Sequence, residues 1–231
     1  MVSRNQEKID RRIAELKEKH ATVEFKGVQA DLSALNSVAQ YKELVARELV
    51  DLDIGILCLN AGCNVQGPVD LVSDADFERV FGLNALHVVY LTKALLPQMQ
   101  QRREKSLILT VSSGLANVTM PGIASYCATK AMVSNFMEAF SFEVRDKIDV
   151  TVWEAGPCYT NLGNGEQPPA AITMTAEKAV RGALCQAGRS RNTDGSYFFH
   201  LLGGTMPPVW LLGNKMADAT RKKFIDSQKN E

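Results

Sequence analysis

The sequence predicts an α/β fold: one domain over residues 1–231, built as a doubly wound parallel sheet with helices on both faces. Three observations carry this. Continuous apolar runs recur at 54–59, 107–111 and 150–153, each stopped by a small or polar turn. Longer amphipathic stretches separate them. No internal repeat, low-complexity tract or linker divides the chain.

Taken in order, Asn5–Lys19 places Ile9, Ile13 and Leu16 at i, i+4 and i+7 on a charged background, a surface helix. Thr22–Gln29 alternates loosely through Val23, Phe25 and Val28 and ends at Asp31, a strand. Leu35–Val50 is helical, and Ile54–Leu59 is a buried strand ending at Asn60-Ala61-Gly62. Asp74–Arg103 is a long helical stretch with an irregularity expected near Gly82. Leu107–Val111 is a second buried strand, closed by Ser112-Ser113-Gly114. Ser125–Arg145 is helical, and Val150–Trp153 is a strand running into Gly156-Pro157. Thr175 N-caps a helix to Ala187, and Ser196–His200 is a short last strand.

Composition narrows the function classes. Lys+Arg and Asp+Glu both number 26, so no basic surplus argues for nucleic acid. The five cysteines, Cys58, Cys63, Cys127, Cys158 and Cys185, form no CxxC pair and read as reduced thiols, with no metal-ligand spacing. His20, His87 and His200 fit no triad or metal spacing and read as structural. The N-terminus has no apolar signal region, and no run of 18 apolar residues predicts a membrane span. Phe198–Met216 is apolar but broken by Gly203, Gly204, Pro207 and Pro208; it reads as a packed segment, with a lipid- or substrate-facing flap as the alternative.

In an open parallel sheet, ligands bind beyond the C-terminal strand ends. The turns expected there are Asp31, Asn60–Gly62, Ser112–Gly114 and Gly156-Pro157. The chemistry-bearing segment is Tyr126-Cys-Ala-Thr-Lys130. On a helix, i and i+4 share a face, and a nearby ammonium favours phenolate. A phenol so tuned exchanges protons with a carbonyl or alcohol. Ser113 ends a strand 13 residues upstream, and Asn84 follows Asn60 by 24 residues on the intervening helix. A nucleophile elbow G-x-S-x-G is absent from the sequence.

On Asp31, Asn60-Ala61-Gly62, Asn84, Ser113, Tyr126-x-x-x-Lys130 and Gly156-Pro157-Cys-Tyr-Thr160, the chain resembles the short-chain dehydrogenase/reductase family, over about residues 1–200. Within it, Val2–Ile9 and the stretches Ala187–Arg189 and Gly195–His200 are similar to the 17β-hydroxysteroid dehydrogenase and very-long-chain 3-oxoacyl-CoA reductase branch. The resemblance implies a Rossmann-like sheet and a catalytic group of Asn84, Ser113, Tyr126 and Lys130. Tyr126 would be the general acid, Lys130 would lower its pKa and bind the nicotinamide ribose, and Ser113 would bond the substrate carbonyl. Asn84 would hold a water between Lys130 and solvent. Arg4, Asp31, Asn60, Ala61, Gly62, Pro157 and Thr160 would join Tyr126 and Lys130 around the cofactor. Arg4 would face a 2′-phosphate and so favour NADP, Asp31 would meet the adenine edge unless it serves only as a helix N-cap, and Thr160 would hold the carboxamide. Ser112 is expected to bond backbone rather than react.

One family element is missing. No T-G-x-x-x-G-x-G turn occurs in the sequence, and the resemblance begins at the family's second strand, with Met1-Val2. The expectation is therefore a sheet lacking its first βα unit, and with it the helix N-terminus that grips a diphosphate. The expected activity is NADP(H)-dependent interconversion of a carbonyl and a secondary alcohol on a steroid or 3-oxoacyl-type substrate. The alternative is a non-catalytic scaffold or assembly subunit on the same fold. The resemblance further implies a homodimer through the helices around 83–103 and 125–145, with Val89, Leu91, Leu95, Met132, Phe136 and Phe140. It also implies an intracellular protein, cytoplasmic or endoplasmic-reticulum-associated, with peripheral membrane contact, and no nucleic-acid partner.

Overall fold

A computed structural model describes residues 1–160, 162, 173–193 and 213–229. In chain order the elements are β1 (Val2–Ser3), α1 (Gln6–Lys19), β2 (Val28–Gln29), α2 (Val38–Glu48), β3 (Ile56–Leu59) and α3 (Asp74–Phe81). A π-helical turn (Gly82–Leu86) leads into α4 (His87–Gln100), β4 (Ser106–Val111), a 3-10 turn (Gly114–Asn117), α5 (Ala124–Val144) and β5 (Ile148–Trp153). Then come β6 (Cys158–Tyr159), β7 (Met174–Thr175), α6 (Ala176–Gln186), β8 (Asn192–Thr193) and α7 (Gly213–Gln228).

Polar side chains fix the helix starts, because the first N–H groups have no intrahelical partner. Asn5 accepts from the Lys8 amide at 2.8 Å, Ser37 from Gln40, Ser73 from Asp76 and Thr175 from Lys178. The Thr175 cap is the one expected. The α2 helix starts three residues later than the sequence pattern suggests: Asn36 donates to the Gln40 side chain, and Ser37 takes the cap.

The strands build a parallel sheet in the order β3-β4-β5-β8. Alternate β4 and β5 side chains face opposite ways. Ile108, Val150 and Val152 pack with Tyr41, Leu44, Val88, Leu95, Val133 and Met137 from α2, α4 and α5. On the other face Leu109 and Trp153 lie beneath Ala179 and Ala183 of α6. This is the doubly wound arrangement that the alternation predicts.

A second parallel pair, β1-β2, joins Val2 to Val28 and Ser3 to Gln29. Val2 and Val28 belong to the same apolar cluster as Leu59 and Val88. Yet no ladder joins β1 to β3 among the described residues. Ile56 on β3 is 68% exposed, while Ile108 on the next strand is fully buried. The sheet thus carries an open edge at the place where an inner strand was expected to be missing.

Other expectations shift. The strand expected over Thr22–Gln29 forms only at Val28–Gln29, because β1 offers two residues to pair with and a ladder cannot outrun its partner. Ser196–His200 lies outside the described residues; among those described, the strand beyond β5 is Asn192–Thr193. Of the side chains expected at a dimer face, Leu91, Leu95 and Phe140 are buried in the core of the single chain. Val89 is half-buried, Phe136 is half-buried with its ring stacked on Phe140, and Met132 is exposed. The continuous helix Asp74–Gln100 is long and apolar enough to cross a membrane, which the sequence analysis did not expect, but half of its most apolar window is buried inside the protein. It is read as a core helix of the fold.

The open edge has a measurable signature. Ile56→Lys should change the stability of the 231-residue chain by no more than ~0.5 kcal/mol, the usual effect at an exposed site. Ile108→Ala should cost about 2–5 kcal/mol. Urea unfolding of both variants checks this, and a cost of several kcal/mol for Ile56→Lys would mean that the edge is covered in solution.

Candidate active site

The site begins at a forced close approach. A Cβ at Gly82 would lie 2.9 Å from the Ser33 carbonyl oxygen, so a glycine lets the helix pass the loop after β2. There the helix widens into the π-turn Gly82–Leu86, a device often found at functional sites. Asn84 projects from this turn and is 1% exposed. Its Oδ1 accepts from the Cys63 amide at 2.8 Å, and its Nδ2 donates to the Cys63 carbonyl at 2.9 Å and to Thr129 Oγ1 at 3.3 Å. The Asn-Ala-Gly turn after β3 is thereby pinned from below. A Cβ on Gly62 would sit 3.3 Å from Asn84 Oδ1 and 3.8 Å from Lys130 Nζ, which places these three residues at one point.

Tyr126 and Lys130 are one turn apart on α5, with Nζ 5.7 Å from the ring centroid. Lys130 Nζ donates to the Val111 carbonyl at the end of β4 at 2.9 Å. Burial lowers its pKa from 10.5 to about 8. The Tyr126 phenol moves the other way from the expectation. Burial raises it, and Ser113, close enough to hydrogen-bond it, only opposes the rise. Desolvation is the largest influence on the phenol and sets its direction. Ser113 is buried and accepts from Leu115 N–H at 3.2 Å, capping the 3-10 turn. Ser112 bonds the Lys130 carbonyl at 3.0 Å and Ser134 Oγ at 2.7 Å, the structural role expected of it.

The expected cofactor contacts are more dispersed. Arg4 is exposed, accepts a bond from Gln29 at its carbonyl, and lines a cavity of about 550 Å³ with Gly62, Cys63, Asp76 and Arg79. Asp31 accepts from the Ser33 amide at 2.9 Å and hydroxyl at 2.6 Å, which holds its carboxyl below the usual range, with Arg4 a smaller contributor. It does not N-cap α2; Ser37 does. Asn60 is exposed, and Ala61 packs against the core. The Pro157 carbonyl accepts from Met174, and Thr160 Oγ1 from Leu162, beyond the end of β5. The structure gathers Gly62, Asn84, Ser113, Tyr126 and Lys130, and sets Arg4 in the cavity beside Gly62. Asp31, Pro157 and Thr160 bond elsewhere.

Sequence reasoning passed over Thr129, which lies inside the Tyr126–Lys130 segment and holds Asn84. It also passed over Cys63 and Arg79, and Phe224 and Gln228 of α7, which line the same cavity. Only Cys63, next to the Asn-Ala-Gly turn, was marked by position.

His87, three residues after Asn84, is 1% exposed, and the Leu83 backbone beside its ring only partly offsets the cost of charging it there. Burial first, then the charge of Lys130, lowers its pKa from 6.5 to about 4. His20 is the α1 C-cap, and His200 lies outside the described residues.

The sequence profile described as short chain dehydrogenase matches residues 1–170. The chain is 32% identical to zebrafish (Danio rerio) 17-beta-hydroxysteroid dehydrogenase type 3 over 235 residues, covering 99% of this chain and 75% of that protein. It is 29% identical to human very-long-chain 3-oxoacyl-CoA reductase over 241 residues, covering 99% and 74%. In fold it is similar to a short-chain dehydrogenase from Sphingobium yanoikuyae solved with NADPH: TM-score 0.75, 23% identity, 88% of this chain and 81% of that one. It is likewise similar to a 7beta-hydroxysteroid dehydrogenase: TM-score 0.74, 20% identity, 96% and 84%.

His87 yields a pH prediction. Its pKa in the folded chain, about 4, lies below the ordinary 6.5, so between these values the unfolded chain binds more protons. Stability should therefore fall as pH drops from 6.5 towards 4, with His87 contributing about 3 kcal/mol of that loss. The variant His87→Gln should lose that part of the slope in urea unfolding measured from pH 7 to 4.

Proposed function

The chain belongs to the short-chain dehydrogenase family, and from that premise we propose NADP(H)-dependent interconversion of a carbonyl and a secondary alcohol on a lipid-like substrate. The observation that carries the reading is the convergence of Ser113, Tyr126 and Lys130 beside Gly62 and Asn84. Steroid and 3-oxoacyl substrates are suggested by the names of the relatives.

When bound, the nicotinamide supplies or accepts the hydride. The chain's own groups handle the oxygen. In reduction Ser113 donates a hydrogen bond to the substrate oxygen, where negative charge grows. Tyr126 gives that oxygen a proton; a phenol raised by burial stays protonated at neutral pH and is suited to the acid role. Lys130, with a pKa of about 8, can return a proton to the phenol. Asn84 fixes the Gly62–Cys63 backbone over Lys130 and is assigned the water that links this lysine to solvent.

The residues fit the cofactor at two ends. Lys130 suits the ribose of the nicotinamide half, and Arg4, sharing a cavity with Gly62, suits a 2′-phosphate through paired charge-assisted bonds. The diphosphate between them finds no glycine-rich turn in the sequence, and β3 beside it is open. That open edge favours a second reading, a non-catalytic scaffold or assembly subunit. A homodimer through the side chains Val89, Met132 and Phe136, and a peripheral membrane contact of an intracellular protein, complete the proposal.

The test is cofactor titration by NADPH fluorescence, with turnover of a 3-oxoacyl thioester and an oxosteroid. The 231-residue polypeptide should show no measurable binding. The same polypeptide with a glycine-rich βα unit joined ahead of Val2 should bind NADPH in preference to NADH, and Arg4→Ala should erode that preference about tenfold. In the extended chain Tyr126→Phe should lower turnover by about 10²–10⁴ while sparing cofactor binding. Tight binding by the unextended chain would overturn the assignment of the diphosphate grip, and an extended chain that binds neither cofactor would support the scaffold reading.

A further inference from the structure

The helix α7 rests on loops that carry the site. Met216, Thr220 and Phe224 recur every four residues along it and are half-buried, whereas its other described side chains are exposed; none is fully buried. Two glycines receive this stripe. At Gly67 a Cβ would come 2.6 Å from the Phe224 ring, and at Gly122 it would overlap Thr220. Both glycines have positive φ, +152° and +84°, and the Gly67 amide donates to the Gly122 carbonyl at 2.7 Å. Arg221 adds a two-pronged ion pair to Asp70, at 3.0 and 2.6 Å. On the inner side Phe224 and Gln228 line the cavity that also holds Arg4, Gly62, Cys63 and Leu162.

We propose that α7 is a removable cover on the half-buried Cys63 side of this cavity, latched by the Asp70–Arg221 pair and seated by Phe224 on Gly67, and that lifting it opens that side to small molecules. A helix of 16 residues with no fully buried side chain among those described has little to hold it against solvent. Its seat is nevertheless shaped: side chains at positions 67 and 122 would push the helix off. An exposed ion pair across a shallow seat gives an equilibrium that small changes can move. The inference stands on geometry and does not require the chain to be a reductase.

Cys63 reports on the cover. It lines the cavity, and neither Asp70 nor Arg221 is among the charges that act on its thiol, so its reactivity reads access. Cys185 on α6 is exposed and serves as the internal control. The experiment is iodoacetamide alkylation of the 231-residue chain, with site-resolved rates from peptide mass spectrometry. Asp70→Asn should speed Cys63 alkylation about 2- to 5-fold, the effect of losing an exposed ion pair, with Cys185 unchanged. Phe224→Ala should speed it about tenfold. The exchanged pair Asp70→Arg with Arg221→Asp should return the rate to that of the parent. A Cys63 rate indifferent to Asp70→Asn, a parallel rise at Cys185, or failure of the exchanged pair to restore the parent rate would each overturn the proposal.

Discussion

The paired bond between the Asn84 side chain and both backbone groups of Cys63 is the contact on which the candidate site depends. A carboxamide can accept and donate at once, so one side chain satisfies both backbone groups of Cys63 in the chain leaving β3. It reaches Cys63 only because the helix widens into a π-turn at Gly82–Leu86, and that turn fits only because Gly82 has no side chain to meet Ser33. From this follow the position of Gly62 over Lys130 and the wall of the cavity at Cys63. Thr129 completes the support from α5: it donates to the Tyr126 carbonyl and accepts from Asn84, which ties the catalytic helix to the π-turn.

The same economy of contacts explains why these groups hold together beside an open sheet edge. The groups that converge on Tyr126 come from β4, α5 and the π-turn, all on the closed side of β3. Their support runs through Ile108, Val133 and Met137, which are fully buried. The open edge faces the other way, towards β1 and Arg4. The residues proposed to handle protons and Arg4, proposed to meet the cofactor, therefore lie on different structural footings. An intact proton-transfer group says little about diphosphate affinity, and the activity and scaffold readings part at that seam.

How legible was this in the sequence? Continuous apolar runs gave β3, β4 and β5 within two residues; β4 and β5 are apolar because they are covered on both faces, whereas β3 keeps the apolar run although Ile56 and Cys58 are exposed at the edge. The Thr175 cap and the irregularity at Gly82 were legible for local reasons, a side-chain oxygen in one case and a missing Cβ in the other. The short β2 was not, since its length depends on how many residues β1 presents. The direction of the Tyr126 shift was also hidden. Spacing on a helix shows that a lysine is near, but not that its ammonium bonds the Val111 carbonyl, nor how dry the phenol is. The α7 helix went unread, because its stripe of Met216, Thr220 and Phe224 is too weak to announce a docking face and its seat lies some 150 positions upstream in the chain.

Lys130 shows what the site demands of the fold. Its pKa in the folded chain, about 8 against 10.5, lies below the unfolded value, so at neutral pH the folded chain carries an ammonium that burial disfavours by about 3 kcal/mol. Among the described residues no carboxylate pairs with it; its hydrogen bond goes to the Val111 carbonyl. A buried Lys with no counter-charge is rarely kept for stability, since an apolar residue of similar volume would remove the penalty. The fold also sets His87, held uncharged, one turn along from Asn84, and so avoids a second cation beside the first. A lysine whose proton is loosely held near neutrality, a phenol kept protonated, and a serine hydroxyl against that phenol form a graded set of proton donors. Under the proposed reaction, that grading gives a buried charge at this position a use that packing does not, and it ties an energetic weakness of the fold to the chemistry proposed for the site.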